Sequence, residues 1–357
     1  MFFFINISCN NNGNDELGPT YDRSSLLTNW YNHHIYPSLN EFKSELETLD
    51  VSFSDFNNNP SIATLKQLRE NVLQANLKWQ KVEMFNIGKA EEIYFSSTMN
   101  VYPANESRIE SNVLSGEYDL SNPNNNTAQG FPALDYLLYG IGETENEIIS
   151  KFTSSKNYMD YIIDVINMMS ENTSLVVNDW ETYKTTFISS TENTATSAVN
   201  LMINDFLYYY EKGFRANKIG IPAGVFSSSP IPENVEGYYS KIHSKTYAIN
   251  SYAAIKNFYN GIKHTGGGYS GSSIKSIVMD LDGRTGDENL ANKITNKMET
   301  ASNLIDGLDE NFVNQILTDN IKFLRTYDAI QEVVVLLKVD MLQLLNINVD
   351  YVDADGD

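Results

Sequence analysis

The side chains that could carry acid–base or metal chemistry are unevenly represented in this chain of 357 residues. Aspartate and glutamate total 46, histidines number four, and Cys9 is the single cysteine. No histidine is followed three or four residues later by a carboxylate, so the paired helical ligands of a zinc peptidase are missing. One thiol excludes an intrachain disulfide framework and a thiolate metal cluster. The residue types favour binding through oxygen atoms, and we assign no catalytic residue.

The segment of residues 130–140 places a carboxylate between two helix-boundary signals. Pro132 suits the first turn of a helix, and Gly140 suits its end. Asp135 lies between them, on a short helix with an apolar face. We expect this helix to pack across other helices, where Asp135 would be costly to bury without a partner.

Two other patterns point less clearly to a site. Asp280 and Asp282 with Asp287 resemble part of a calcium loop, but Ala291 stands where the closing glutamate belongs. The three glycines at 266–268 are not followed by the lysine of a phosphate loop. We interpret the first pattern as a solvated loop and the second as a mobile connection.

Helical periodicity dominates the elements that must position these residues. From residue 62 to Val82, apolar residues recur in steps of three and four, as on one face of an amphipathic helix. Period-two strand patterns are nearly absent, so we predict an all-α fold built from helical bundles. Pro37 either kinks the first helix or starts a second one. The predicted helices are 24–50, 61–82, 133–140, 156–188, 191–217, 237–263, 288–306 and 313–344.

The predicted helices fall into two blocks that divide near residue 190. We therefore predict an N-terminal bundle over 23–190 and a C-terminal bundle over 191–346. Residues 1–22 are predicted to be a signal remnant and flexible tether, and residues 347–357 an acidic tail.

The first residues resemble the end of a bacterial lipoprotein signal. A mostly apolar run leads to Ser8 and Cys9, and a polar stretch follows. In such signals the lipidated cysteine becomes the first mature residue. The basic segment is missing and the apolar run is short, which a start codon assigned too late would explain. We expect a lipid anchor on Cys9 that holds the protein at the bacterial cell envelope, facing the periplasm or the exterior; the alternative is an incidental cysteine.

The net charge of −21 bears on partners. A field of this sign repels the phosphates of nucleic acids and anionic lipids, so we expect no nucleic-acid partner and membrane contact only through the anchor. No run approaches the roughly 18 apolar residues of a spanning helix. The charge serves solubility and favours cationic partners.

Four signatures in order, spanning about residues 25–350, resemble the imelysin family. The segment from Gly130 resembles the family's Gly-x-His-x-x-Glu motif. The other signatures are WQKVEMFNIG with Trp79, Glu83, Phe85 and Gly88, KIGIP from Lys218 to Pro222, and VEGYYSKIHS with Glu236, Tyr239, Ser240 and Ser244. The closing run from Leu336 also resembles the end of envelope lipoproteins in this family.

The resemblance implies two helical bundles with a cleft between them and a location in the periplasm or at the cell surface. It also implies a link to iron uptake, with transport components as partners, and a disputed metallopeptidase activity. This chain departs from the motif, because Pro132 stands where the family has histidine and Asp135 where it has glutamate. Proline has no ligand atom, whereas aspartate keeps a carboxylate on a shorter arm.

Three functions remain open at this point. The first is a non-enzymatic binding lipoprotein whose cleft holds a ligand or a cation; oxygen ligands alone favour calcium, magnesium or ferric iron. The second is a structural or partner-binding relative with a dead site. The third is a metallopeptidase with a rebuilt ligand set, which only His243 could join. The candidate cleft residues are Glu83, Asp135, Glu236, Tyr239, Ser240 and His243.

We expect structural positions, and no direct part in a site, for five further residues. We expect Trp79 in the core and Gly88 and Gly140 at helix ends. Lys218 and Arg215 are expected at the surface, as isolated cations usually are.

Overall fold

The computed structural model describes residues 21–351, so Cys9, most of the predicted tether and the end of the acidic tail lie outside the described residues. Over this range the fold is all-helical, as predicted, and extended pairing is limited to one bridge between Ile262 and Tyr269. The α-helices are α1 (Arg23–Trp30), α2 (Tyr36–Asn58), α3 (Ile62–Val82), α4 (Lys89–Glu92), α5 (Phe95–Met99), α6 (Glu106–Ser115), α7 (Gly130–Asp135), α8 (Glu145–Ser154), α9 (Lys156–Ser189), α10 (Ala198–Tyr208), α11 (Ile221–Ala223), α12 (Ser244–Asn260), α13 (Ile274–Asp282), α14 (Leu290–Asp306), α15 (Phe312–Val335) and α16 (Leu342–Leu345).

Several helices continue without a break into wider π-helical segments. These segments are Tyr31–Ile35, Tyr136–Gly140, Tyr209–Gly220 and Leu336–Met341. Pro37 is the second residue of α2, directly after the π-helical segment Tyr31–Ile35 that joins α1 to α2. The predicted helices over 191–217 and 237–263 begin later than expected, at Ala198 and Ser244.

Side-chain caps fix the starts of several helices. Ser61 and Thr64 form a reciprocal capping box at the start of α3, and the apolar stripe that follows is buried. Thr144 and Glu147 form the same motif at the start of α8, a helix that the periodicity analysis missed. The short helices α4 to α6 and α13 were not predicted either, because each offers too few turns for a periodic pattern.

The buried apolar side chains form one connected cluster with members from both predicted bundles. In it, α2 packs against α3 and α9, while α12 packs against both α3 and α14. Trp79 is fully buried in this core, as expected. The division into two bundles near residue 190 stays a prediction. No described helix is long and apolar enough to cross a membrane.

Candidate functional site

The core of the candidate site is a buried ion cluster centred on Lys218. The Lys218 ammonium Nζ lies 2.6 Å from Glu236 Oε2 and 3.3 Å from Glu83 Oε2. Lys218 is only 3% exposed, so the expectation of a surface lysine is wrong. Two of the predicted cleft carboxylates are therefore brought together, but around Lys218, a signature residue that we did not count among the cleft residues.

Glu236 is held by two further donors besides Lys218. The amide nitrogens of Gln80 on α3 and of Asn100 after α5 donate to Glu236 Oε1, at 2.7 and 2.8 Å. A buried carboxylate with three donors has its charge well satisfied. Glu236 thus ties the end of α3, the segment after α5 and the π-helix together.

Glu83 accepts a different set of contacts, just after the end of α3. The Tyr209 hydroxyl donates to Glu83 Oε2 at 2.9 Å and shares a hydrogen bond with Ser251 Oγ at 2.7 Å. Tyr209 and Lys218 therefore reach the same carboxylate oxygen from the same helical segment.

The π-helical winding explains how one segment presents both groups. Nine residues separate Tyr209 from Lys218, which is two and a half turns of an α-helix and would place them on opposite faces. With i to i+5 bonding and roughly 4.4 residues per turn, the same spacing is close to two full turns. The π-helical winding thus turns Lys218 toward Glu83, whereas we expected it at the surface because isolated cations usually lie there.

Electrostatics in the cluster keep the lysine charged. Burial opposes the ammonium charge, but the Glu236 and Glu83 carboxylates outweigh it and raise the pKa of Lys218 above its ordinary value. Burial raises the pKa of Glu83, and Lys218 opposes that rise. Lys218 is therefore the internal cation that balances the negative charge of Glu83 and Glu236.

Asp135, at the end of α7, is engaged by the backbone of the loop before α12. Its two carboxylate oxygens accept the N–H groups of Tyr239 at 2.9 Å and Ser240 at 3.1 Å. Burial raises the pKa of Asp135 to about 6, while a hydrogen bond from the Ser240 side chain and those from the two backbone N–H groups pull it down. The predicted association of Asp135 with Tyr239 and Ser240 is therefore a backbone contact that fixes the loop.

The space around the motif is nearly closed. Pro132, Asp135, Glu236 and His243 line a void of about 10 Å³. This volume is at the threshold for a single water molecule, about 10–15 Å³. His243 Nε2 lies 3.4 Å from the Tyr139 hydroxyl, at the edge of this void.

A metal ion, which the motif implies, does not fit the donors present. Pro132 offers no ligand atom, both oxygens of Asp135 accept backbone N–H groups, and Glu236 is bound by Lys218. Across residues 21–351, no three histidine, cysteine or carboxylate side chains are placed to hold a metal ion. The motif position is a structural polar contact between α7 and the loop before α12.

An open cavity of about 420 Å³ lies next to Glu83, between segments from both predicted bundles. Its acidic side chains are Glu83, Glu91 and Asp205. Lys212 also lines it, and the Lys212 ammonium lies 3.7 Å from Glu211 Oε1. The cavity also has a tyrosine-rich lining, formed by Tyr94, Tyr102, Tyr208 and Tyr209.

Asp205 is the acidic group of this cavity that the sequence analysis missed. Its carboxylate accepts the backbone N–H of Asn86, in the turn after α3. Burial raises the pKa of Asp205 to about 8, and the nearby Glu91 and Asp350 carboxylates add to the rise. Asp205 lies in the apolar helix α10 without a motif around it, so no sequence signal distinguished it.

Arg215 lies in a second buried ion cluster, so its expected exposure is also wrong. Its side chain is 1% exposed, and its Nη1 donates to the Tyr327 hydroxyl at 2.6 Å. Arg215 Nη2 and Lys338 Nζ both lie near Glu211, at 3.4 and 3.2 Å. This cluster links the π-helix to the C-terminal helices.

The suggested calcium loop serves a helix end instead. Asp282 is the last residue of α13, and its carboxylate binds Arg284 and accepts the backbone N–H of Leu290. These contacts lower the pKa of Asp282, the Arg284 hydrogen bond most of all. The carboxylate thus stabilises the turn into α14.

Comparisons with known proteins agree on one family. A family model described as imelysin, of the M75 peptidases, matches residues 35–339. An imelysin-like protein from Psychrobacter arcticum 273-4 shares 16% identity and a TM-score of 0.71, over 92% of this chain and 97% of that one. A candidate iron-regulated protein A precursor from Parabacteroides distasonis ATCC 8503 shares 17% identity and a TM-score of 0.72, over 92% and 97%. None of the curated proteins matches the chain.

Proposed function

Because this chain belongs to the imelysin family, we propose that it is a non-hydrolytic binding protein for a small, positively charged molecule. The ligand is received in the acidic cavity beside Glu83, and the motif around Asp135 holds the wall of the site in place. The observation that carries the proposal is the cavity itself, which places Asp205 and Glu91, two carboxylates that form no salt bridge with another described residue, beside Glu83.

The charge of the cavity supports a cationic ligand. Asp205 forms no salt bridge with another described residue, and its neighbours Glu91 and Asp350 are also acidic. Two like-charged neighbours and a low-dielectric wall leave an unfavourable field that an arriving cation relieves. The overall charge of −21 adds a long-range attraction for the same ligand.

The size of the cavity supports a molecule over a bare ion. A bound calcium or magnesium ion is held by oxygens at about 2.0–2.6 Å. A cavity of about 420 Å³ falls within the range of small-molecule sites, about 300–1,000 Å³. The four lining tyrosines add aromatic surface of the kind that attracts organic ammonium groups.

Metal-dependent hydrolysis has no support from these residues. A metal-activated water needs ligands with a free coordination position. Here the motif histidine is replaced by Pro132, and the Asp135 and Glu236 oxygens already accept hydrogen bonds. The cluster that replaces the metal site carries its own cation, Lys218.

We also propose, from the first residues of the sequence, that the protein is lipid-anchored at the bacterial cell envelope through Cys9. The name of the Parabacteroides relative, an iron-regulated protein A precursor, suggests a role under iron control. Transport components as partners are part of our proposal and rest on the family resemblance alone. Incorporation of radioactive palmitate that is lost in Cys9→Ala would support the anchor. Unchanged incorporation in that variant would reject it.

Calorimetric titration with choline and its neutral isostere 3,3-dimethylbutan-1-ol tests the binding function. We expect saturable binding of choline and at least tenfold weaker binding of the alcohol, because the isostere lacks the charge. Asp205→Asn should weaken choline binding, whereas Asp55→Asn, at an exposed position on α2, should leave it unchanged.

Two outcomes would overturn this assignment. Equal affinity for choline and the alcohol would remove the role of the cavity's charge. Binding of ferric nitrilotriacetate that depends on Asp205, without choline binding, would replace the organic cation by a metal.

A further inference from the structure

A separate cavity of about 290 Å³ lies between α12, the end of α3 and the loop that begins at His264. It shares no lining residue with the acidic cavity. Its polar lining is formed by His34, Lys81, Asn250, Asn257, His264 and Thr265. None of these residues is a carboxylate, so the two cavities differ in the sign of the charge that they present.

Lys81 supplies the positive charge of this second cavity. It is half-buried and forms no salt bridge with another residue of the described range. Burial lowers the pKa of Lys81, and the Lys78 ammonium adds to the effect. An anion bound beside Lys81 would stabilise the ammonium charge that burial disfavours.

Glu41, the carboxylate whose charge acts on Lys81, is already engaged. Glu41 Oε2 lies 3.1 Å from Lys78 Nζ and 2.9 Å from His264 Nε2. Two basic partners leave Glu41 with little capacity to neutralise Lys81 as well. An external anion that binds at Lys81 would therefore not have to displace a carboxylate of the protein.

Two histidines extend the basic lining. The His34 Nε2 lies 3.2 Å from Ser270 Oγ, and the backbone N–H of His264 donates to the His33 carbonyl at 3.0 Å. Burial lowers the pKa of His34 to about 3, and the charges of His33 and His264 contribute. Burial also lowers the pKa of His264, against the opposing effect of Glu41.

The rest of the wall is apolar. Met84, Phe85 and Phe258 line the cavity, and the Phe85 and Phe258 rings pack edge to face with centroids 5.4 Å apart. Alanines on α12 leave room in front of these rings. A ligand that satisfies both parts of the wall carries one anionic group and a compact apolar body.

We propose that this cavity is a second ligand site, which binds a small aromatic or branched carboxylate with its anionic group at Lys81 and its apolar body against Phe85 and Phe258. The site is independent of the acidic cavity and of the function proposed for it. Its volume is at the lower end for small-molecule pockets, so the ligand is small.

Binding of an anion here takes up protons. An anion stabilises the charged forms of His264 and Lys81, so their pKa values rise on binding and affinity increases as pH falls. His34, with a pKa of about 3, stays neutral between pH 6 and pH 8. The other charged groups around the two imidazoles are His33, Lys78, Lys81 and Glu41. Glu41 is the acidic member of this set, and protonating it at low pH would strengthen the same trend.

Titration of the full chain with benzoate and with neutral benzyl alcohol tests the site. We expect saturable benzoate binding that is tighter at pH 6 than at pH 8, and weaker binding of the alcohol. Lys81→Met should weaken benzoate binding at least about tenfold, because a hydrogen bond to a charged group is lost. Lys66→Met, at an exposed position on the same helix, is the matched control.

A second variant keeps Lys81 and blocks the cavity. Ala253 is an exposed lining residue of α12, so Ala253→Phe should reduce benzoate binding without removing a charge. Circular dichroism establishes that each variant is folded. Absence of saturable benzoate binding in the wild type, or equal affinity in Lys81→Met and Lys66→Met, would overturn the proposal.

Discussion

Lys218 stabilises the interior by supplying the positive charge between two carboxylates, Glu236 and Glu83, that are largely removed from water. The Lys218 and Glu236 side chains are buried, and Glu83 reaches solvent only at the wall of the acidic cavity. Removing one partner of a buried ion cluster leaves uncompensated charge, which costs more than the intact cluster contributes. We therefore expect substitution of Lys218, the single cation of the cluster, to lower the stability most.

The first prediction concerns this cation. Lys218→Met should lower the free energy of unfolding by about 3–5 kcal/mol, as urea denaturation would show. Lys78→Met breaks the half-exposed pair with Glu41 and should cost less than about 1 kcal/mol. Similar small losses in the two variants would mean that Lys218 does not neutralise a buried cluster.

The second prediction follows from Asp205. Its pKa of about 8 in the folded chain lies above the ordinary value of about 3.9. Its contribution to stability is thus complete below about pH 4 and is lost as pH rises through about 8. From pH 5 to 9 the wild type should lose about 2–4 kcal/mol more stability than Asp205→Asn. Parallel pH profiles of the two proteins would contradict this assignment.

Single residues were only partly predictable. Glu83, Asp135 and Glu236 were chosen from the sequence, and the structure places them around one polar interior. Lys218 and Asp205 were missed, because neither the burial of a lysine nor the isolation of a carboxylate leaves a local pattern. Whether the chosen residues contact a ligand stays a prediction.

At the scale of elements, the segment Tyr209–Gly220 shows how a local change of helical winding decides which side chains face each other. Its wider winding turns Tyr209 and Lys218 toward the same carboxylate. Gly213 permits this winding beside Tyr209, since an added Cβ would lie 2.4 Å from the Tyr209 ring. A sequence read with 3.6 residues per turn assigns such a segment the wrong buried face.

The third prediction concerns Gly130, at the start of α7. Its φ of +68° is unfavourable for other residues, and an added Cβ would lie 2.1 Å from the Met99 carbonyl oxygen. Gly130→Ala should cost about 2–5 kcal/mol, from left-handed strain and overpacking together.

Gly116 is the matched control for this substitution. It has a similar φ of +66°, but the nearest atom to an added Cβ is the Asn157 amide nitrogen at 3.7 Å. Gly116→Ala should therefore cost only about 1–2 kcal/mol, the strain alone. If thermal denaturation shows equal losses of stability in the two variants, the close approach to the Met99 carbonyl does not restrict the side chain at position 130.

At the scale of the whole molecule, the all-helical class and the long helices were predictable because burying one face imposes a period on the sequence. The short helices α4 to α6 and the cavities were not. The lining of the acidic cavity comes from positions between residues 83 and 234, which only the tertiary fold brings together. A cavity leaves no periodic signal, since its walls combine helix ends, turns and one π-helical face.

Proton release on binding tests most directly whether a cation is received beside Asp205. At pH 7 a carboxylate with a pKa of about 8 is mostly protonated, and a cation bound next to it lowers that pKa. Calorimetry of choline binding in buffers with different ionisation enthalpies should show release of about one proton per ligand. The same titration of Asp205→Asn should show none. Choline binding without proton release, or with equal release in Asp205→Asn, would contradict the account.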